Sequence, residues 1–336
     1  MRMRRPRFGR FLVFAAAGVT AAGLTACSSA SSNATATSGS SPEKTTITVD
    51  AIDSPDAAPL WIAINEGFFK KQGLTVKLNY LPGTGAAFPA QAAHTVDFAE
   101  QNYVSLFSEN QLNPQLGLRI VASDEQAAPN TNVIMVAKNS PIKTAAGLKG
   151  KKVAFPAPGV SLSYLGLEEQ LQGYGVTPSN DFSDVPVGFA NMMSALKSGE
   201  VDAVFAIPPF ITLMETQIGA HQLVDLATGP LNNIPSTGWT TTAYEEQHYP
   251  NTVAAFQRAI EQAQQVAASN PTLVRSLLPS HVKGMTSKLA NIIPLQTYVT
   301  TLSETSIQRV ANVMEQFKSI KNVNVSALII QPPAGA

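Results

Sequence analysis

Residues 199–210 read GEVDAVFAIPPF. The apolar run VDAVFAI has the length of a buried strand, and Pro208-Pro209 ends it, because proline donates no N–H to a sheet ladder. The same arrangement stands 105 positions upstream. LPGTGAAFPAQAAHTVDFAE (81–100) sets Gly83 fourteen residues before Asp97, and PVGFANMMSALKSGEVDAVF (186–205) sets Gly188 fourteen before Asp202. Each copy is a glycine, a helix-length stretch, a Val-Asp pair and an apolar run. Units of this kind build α/β proteins, so the copies are expected at equivalent places in two similar lobes.

Working outward, the pattern keeps alternating. TTITVDAI reads as a strand ending at Asp53-Ser54-Pro55, and PLWIAINEGFFKKQG as a helix with Leu60, Ala63, Ile64, Gly67 and Phe68 on one face. LTVKLNYL, VDFAE and RIVAS are further strands. A second series runs through NVIMVAK, KKVAFPA, the helix SLSYLGLEEQLQGYG, DVPVG, VDAVFAI and HQLVDLA. After GWTTTA the chain turns helical: Val253, Phe256, Ile260, Ala263 and Ala267 form one stripe, and Ile307, Val310, Met314 and Phe317 another. Too few strands accompany these helices for a third domain, so they are expected to pack back on the first lobe. The expected division is lobe I from 46–131 plus 238–336 and lobe II from 132–237, with hinges near Asn132 and Gly238.

The N-terminus carries its own signals. MRMRRPRFGR holds five arginines and no acid, and FLVFAAAGVTAAGL is too short and too rich in alanine and glycine for a membrane span. Residues 1–26 therefore read as a signal peptide. Leu24-Thr25-Ala26-Cys27 matches the bacterial lipobox, in which the cysteine is lipidated and becomes the mature N-terminus. Arg4-Arg5 with Phe8 approximates a twin-arginine signal, leaving both that route and the general secretory one open. Residues 27–45, rich in Ser, Ala and Thr, read as a flexible tether. The expected location is extracytoplasmic, lipid-anchored on the outer face of the cell membrane.

Cys27 is the only cysteine, which excludes structural disulfides and cysteine zinc sites. Beyond it the chain carries 18 basic against 23 acidic side chains, with no basic stripe for nucleic acid. The four histidines lack metal-ligand spacing, and His94 reads as a surface turn residue. No phosphate-loop, G-x-S-x-G or H-E-x-x-H motif occurs. Neither cofactor nor metal is expected.

PLWIAINEGFFKKQGLTVKL, the pair VDFAE and VDAVF, SPIKTAAGLKGKKVAFPAPG and ALKSGEVDA together resemble the solute-binding proteins of ABC importers that handle nitrate, alkanesulfonates, taurine and thiamine-precursor pyrimidines. These stretches span most of residues 47–240. The chain departs from that family where Ala93-His94-Thr95 stands before the first Val-Asp in place of a small residue and glycine. The resemblance implies a two-lobed α/β, periplasmic-binding-protein-like fold of type II, each lobe a mainly parallel sheet flanked by helices, with a ligand cleft between. It further implies a monomer that binds a small solute and delivers it to permease subunits of the membrane.

Ligands of open α/β sheets gather beyond the carboxyl ends of the strands. In lobe I that rule points to Asp53 and Ser54, to Gly83, Thr84 and Gly85, and to Glu100, Gln101 and Asn102. In lobe II it points to Gly159, Val160, Ser161 and Ser163, to Gly188, Phe189 and Asn191, and to Ile207, Pro208, Pro209 and Phe210. Glycine turns before helices suit an anion such as a sulfonate. An anion beside both Asp53 and Glu100 would be repelled, which favours a solute bearing N–H or O–H donors, such as a heterocycle held by Trp61, Phe189, Phe210 or Trp239. Both solute classes stay open. The competing class is an enzyme, because the same fold carries out chemistry in thiamine-pyrimidine synthesis.

Overall fold

The computed structural model describes residues 41–156, 162–172, 175, 182–228 and 231–332. The signal peptide, Cys27 and most of the tether lie outside them, as do Gly159, Val160 and Ser161.

The strands form two sheets. The first holds β1 (Thr46–Ile52), β2 (Thr75–Leu81), β3 (Phe98–Asn102), β4 (Leu118–Gln126), β10 (Pro235–Thr242) and β11 (Thr297–Tyr298), in the order β11-β4-β10-β3-β1-β2. The second holds β5 (Val133–Val136), β6 (Lys152–Phe155), β7 (Ser183–Pro186), β8 (Ala203–Ala206) and β9 (His221–Asp225), in the order β7-β6-β8-β5-β9. β2, β1 and β3 run parallel, as do β7, β6 and β8.

Beyond those sets the pairing turns antiparallel, against the expectation of mainly parallel sheets: β10 runs opposite to β3 and β4, and β5 opposite to β8 and β9. The reason is chain path. β5 and β10 each arrive directly from the other sheet, without a crossover helix to restore direction. Those passages are residues 127–132 and 226–234. Gly238 stands inside β10, opposite Gln101 and Ser123, so the second passage precedes it.

The repeat has a structural meaning at the start of its strands. Lys152 N–H donates to Asp202 Oδ2 at 2.9 Å, while Asp202 N–H donates to the Lys152 carbonyl at 2.9 Å. Thr48 N–H donates to Asp97 Oδ2 at 2.6 Å, and Asp97 N–H returns to the Thr48 carbonyl at 3.0 Å. Each Val-Asp thus latches its strand to the parallel neighbour with a backbone and a side-chain bond, at the edge where the ladder begins.

Each sheet has its own core. Helix Pro250–Ser269 lays Val253, Phe256, Ile260, Ala263 and Ala267 on the first sheet, where Phe256 stacks on Phe98 at 3.9 Å between ring centroids. Helix Glu304–Gln316 buries Ile307, Val310 and Met314 beside Tyr103, Phe107, Leu118 and Ile120. The second sheet packs Val204, Phe205 and Phe155 with Phe189, Met192 and Leu196 of helix Phe189–Ser198. Among the described residues, no helix is long and apolar enough to cross a membrane.

Candidate functional site

The glycine turns of the two repeats face each other. A methyl group on Gly188 would lie 3.9 Å from the Pro82 carbonyl, and one on Gly83 would lie 3.8 Å from Pro156. Between these turns and the ends of β1, β3, β4 and β10 opens a cavity of about 580 Å3, a size typical of small-molecule sites. Gly83, Gly85, Asn102, Gly188, Phe189 and Ile207 line it, six positions at the strand ends that the sequence singles out. Asn102 also caps the next helix, its Oδ1 accepting from Val104 N–H at 2.9 Å.

The polar wall comes from elsewhere. Asp56 stands in the turn after β1, Glu125 near the end of β4, Ser236 and Thr237 at the start of β10, and Gln296 just before β11. Sequence reasoning missed all five, since they come from four distant segments. One signal was available: RIVASDEQ sets an acidic pair just after the apolar run of residues 120–122, and a charge in a buried strand needs a reason.

Asp56 and Glu125 belong to a buried group of carboxyls completed by Glu100 and Asp124, each 3% exposed or less. Among the described residues no ion pair reaches any of the four. Asp124 accepts from Thr237 Oγ1 and Gln264 Nε2, both at 2.9 Å, and Glu100 Oε2 accepts from Ile52 N–H at 3.1 Å. Two like unit charges about 4 Å apart repel by roughly 4 kcal/mol at an effective dielectric near 20, so such a group favours its protonated forms. Burial, reinforced by the Asp56 carboxylate, pushes Asp124 up to about 7. Burial pushes Asp56 up to about 7, against smaller opposing effects of the Ser54 hydroxyl, its own backbone N–H and Gln296. Glu100 and Glu125 are driven well above the usual carboxylate range, by burial first and then by neighbouring acids. Oδ1 of Asp56, Oε1 of Glu100, Oε2 of Glu125 and Oε1 of Gln296 are buried acceptors that receive no hydrogen bond.

Other predicted residues lie off this cavity. Ser54 is buried and caps the turn through a 3.3 Å bond from Asp56 N–H. Glu100 and Gln101 sit beneath the wall, with Gln101 Nε2 donating to Gln91 Oε1 at 3.3 Å. Trp239 is buried and packs edge-on against Phe256; Trp61 is buried in the same core, stacked on His281 at 4.5 Å. Neither tryptophan faces the cavity. Asp53 and Phe210 line a second cavity of about 370 Å3, which shares Phe189, and Asp53 there accepts from Lys283 N–H at 3.4 Å. The acid pair expected from Asp53 and Glu100 is therefore not formed at one cavity. Asn191 and Pro208 line neither cavity. Ser163 starts the helix Leu162–Gln172, and the side chains of Ser163 and Thr84 are outside the description. His94 takes the left-handed turn conformation, φ 55°, at the exposed end of its helix and stacks on Tyr244. Among the described residues, no cluster of His, Cys, Asp or Glu has metal-holding geometry.

A family model described as NMT1/THI5 like matches residues 54–273, about two thirds of the chain. The chain belongs to the NMT1/THI5-like family. Within curated sequences, this NMT1/THI5-like chain is 32% identical over 164 residues to a Haemophilus influenzae protein named for thiamine biosynthesis, covering 48% of this chain and 49% of that one. It is 27% identical over 215 residues to a Bacillus subtilis protein named for binding aliphatic sulfonates, covering 61% of each. The chain thus spans about half to three fifths of the length of these two relatives. The alkanesulfonate-binding protein SsuA from Xanthomonas axonopodis pv. citri, solved bound to MOPS, shares the fold at TM-score 0.72 and 17% identity, over 86% of this chain and 99% of that one. The two-sheet α/β architecture is that of the periplasmic binding proteins.

Proposed function

We propose that this chain is the extracytoplasmic substrate-binding component of an ABC importer, which captures a small organic solute in the 580 Å3 cavity and delivers it to permease subunits in the membrane. The observation that carries this reading is the cavity itself, walled by the glycine turns of both repeats. Solute held against both sheets stabilises a closed arrangement that the permease reads, with residues 127–132 as one of the passages about which the lobes move. Lipidation at Cys27 and the tether after it moor the protein on the outer face of the membrane. The sulfonate-binding names of relatives make sulfonates, nitrate and taurine the first solutes to test, with nitrogen heterocycles beside them.

The test uses the full chain, purified in detergent and melted while the fluorescence of its two tryptophans is followed. A cognate solute at saturation raises the midpoint by mass action and is recovered unchanged after hours of incubation. Consumption of the bound compound would overturn the receptor reading in favour of an enzyme, the class suggested by the relative named for thiamine biosynthesis. Cys27→Ser is expected to abolish labelling by radioactive palmitate and release the protein from the membrane.

A further inference from the structure

Every ionisable side chain on the wall of the main cavity is acidic: Asp56, Glu109 and Glu125, with no Lys, Arg or His among the described lining residues. The internal segments outside the description, 157–161, 173–174, 176–181 and 229–230, contain no basic residue either. An anion entering this space meets no countercharge.

A second, independent observation points to the missing partner. Asp56 Oδ1, Glu125 Oε2 and Gln296 Oε1 belong to cavity-lining residues, are buried, and have no donor in hydrogen-bond geometry; Ser54 and Gln296 beside Asp56, and Ser236 and Thr237 beside Glu125, offset less than burial adds. A buried acceptor without a donor is unfavourable, and a carboxylate more so, unless a ligand completes it. Once one of these carboxyls gives up its proton, the unpartnered acceptors suit a group that presents several N–H donors and carries positive charge. Much of the remaining lining is apolar, with Phe88, Phe189 and Phe205 and the prolines Pro82, Pro156 and Pro186.

On the reading that this cavity is the solute site, we propose that its ligand is an organic cation, with a protonated amine, amidine or guanidine head on Asp56, Glu125 and Gln296 and an apolar body against Phe88, Phe189 and Phe205.

Binding of a cation here shifts a proton balance. The titratable groups facing one another here are Asp56, Glu100, Asp124 and Glu125, with Tyr103, Tyr298 and Glu109 at their margin; Arg275 acts on Tyr298 from the adjoining helix and is held by the Ala290 and Ile293 carbonyls. Near neutral pH these buried carboxyls hold protons in part, since burial raises Asp56 and Asp124 to about 7 and drives the two glutamic acids well above the usual carboxylate range. Seating a cation lets one carboxyl ionise, and its proton passes to solvent. Cation affinity then rises with pH across the neutral range.

The experiment compares probes of one shape and three charges on the full chain in detergent: benzylamine and benzamidine, benzyl alcohol, and benzenesulfonate. Calorimetry is run in two buffers of different ionisation enthalpy. The proposal expects the cations to bind at least tenfold more tightly than the alcohol or the sulfonate and to release protons, and Glu125→Gln or Asp56→Asn to weaken them at least tenfold. Benzenesulfonate binding more tightly, with proton uptake, would overturn the cation assignment while leaving the solute-binding reading intact. Equal binding of all probes, unchanged by Glu125→Gln, would do the same. Absence of binding by any probe, together with no response to the sulfonate, nitrate and heterocycle panel, would overturn both. The two-buffer measurement on the unaltered chain decides the issue even where a variant fails to fold.

Discussion

β3 finishes on Glu100-Gln101-Asn102, while β8 finishes on Ala206 and runs on through Ile207-Pro208-Pro209-Phe210. These are equivalent ends of two copies of one pattern. At their other ends the copies are alike, each strand tied to its parallel neighbour by an aspartate on a backbone N–H. The difference extends beyond these termini: all seven buried acidic side chains among the described residues belong to segments of the first sheet and its helices, and none lies between 133 and 228. The start of a strand is a scaffold position with a fixed task, so its chemistry repeats. The ends of the strands border the main cavity, where, among the described residues, the first half supplies all the acidic lining and the second half supplies none.

The largest expected effect tests the acidic wall through pH. Asp56 and Asp124 hold carboxyls raised from 3.8 to about 7 by burial. The folded state then binds protons that the unfolded chain releases, so stability is full below about pH 4 and is lost as pH climbs toward 7. A rise of about three pKa units corresponds to roughly 4 kcal/mol per group before their mutual coupling. The unliganded protein should melt several degrees lower at pH 8 than at pH 5, and Asp124→Asn should flatten that slope. A midpoint rising over this range would break the contrast between the halves.

Next in size is Gly238→Ala. A methyl group there would stand 2.4 Å from the Tyr103 hydroxyl and 2.7 Å from its ring, in a buried contact between β10 and the helix that Asn102 caps. Overpacking of this kind costs about 1–3 kcal/mol, and more where the ring cannot move. Urea titration should show the loss, and Gly188→Ala, with only the Pro82 carbonyl at 3.9 Å, should lose much less. Asp97→Ala should cost about 2–3 kcal/mol, because it breaks the latch and an ion pair with Lys44, leaving that ammonium one carboxylate, Glu245.

Local signals explain what was legible. The Val-Asp repeat, the glycine turns and the helical stripe through Phe256 are written over short stretches, where period and punctuation decide, and they led to the α/β architecture and to Gly83, Gly85, Gly188 and Phe189 on the cavity. β10 was not legible, since PSTGWTTT is small and Thr-rich with no alternation, and without it Gly238 reads as a passage and Trp239 as a wall. Its side chains take their faces from pairing with β3 and β4, strands more than a hundred residues earlier. The acid group fails to show for the same reason. Asp56, Glu100 and the Asp124-Glu125 pair are separated along the chain, and only the sheet order β4-β10-β3-β1 gathers them.

The smallest effect is the most direct probe of the repeat. Asp202 is exposed, whereas Asp97 is largely buried and shares Lys44 with Glu245. The latches have the same two bonds, so Asp202→Ala isolates the latch from its surroundings. Losing one side-chain bond to a backbone N–H that water can reach should cost about 0.5–1.5 kcal/mol. Asn at either position keeps an acceptor, and at 202 it should restore most of the loss; at 97 it should restore less, because Lys44 keeps only one acidic partner. Equal losses for Asp97→Ala and Asp202→Ala in urea titration would mean that the ion pair adds nothing, and that the halves differ only at the ends of their strands that border the cavity.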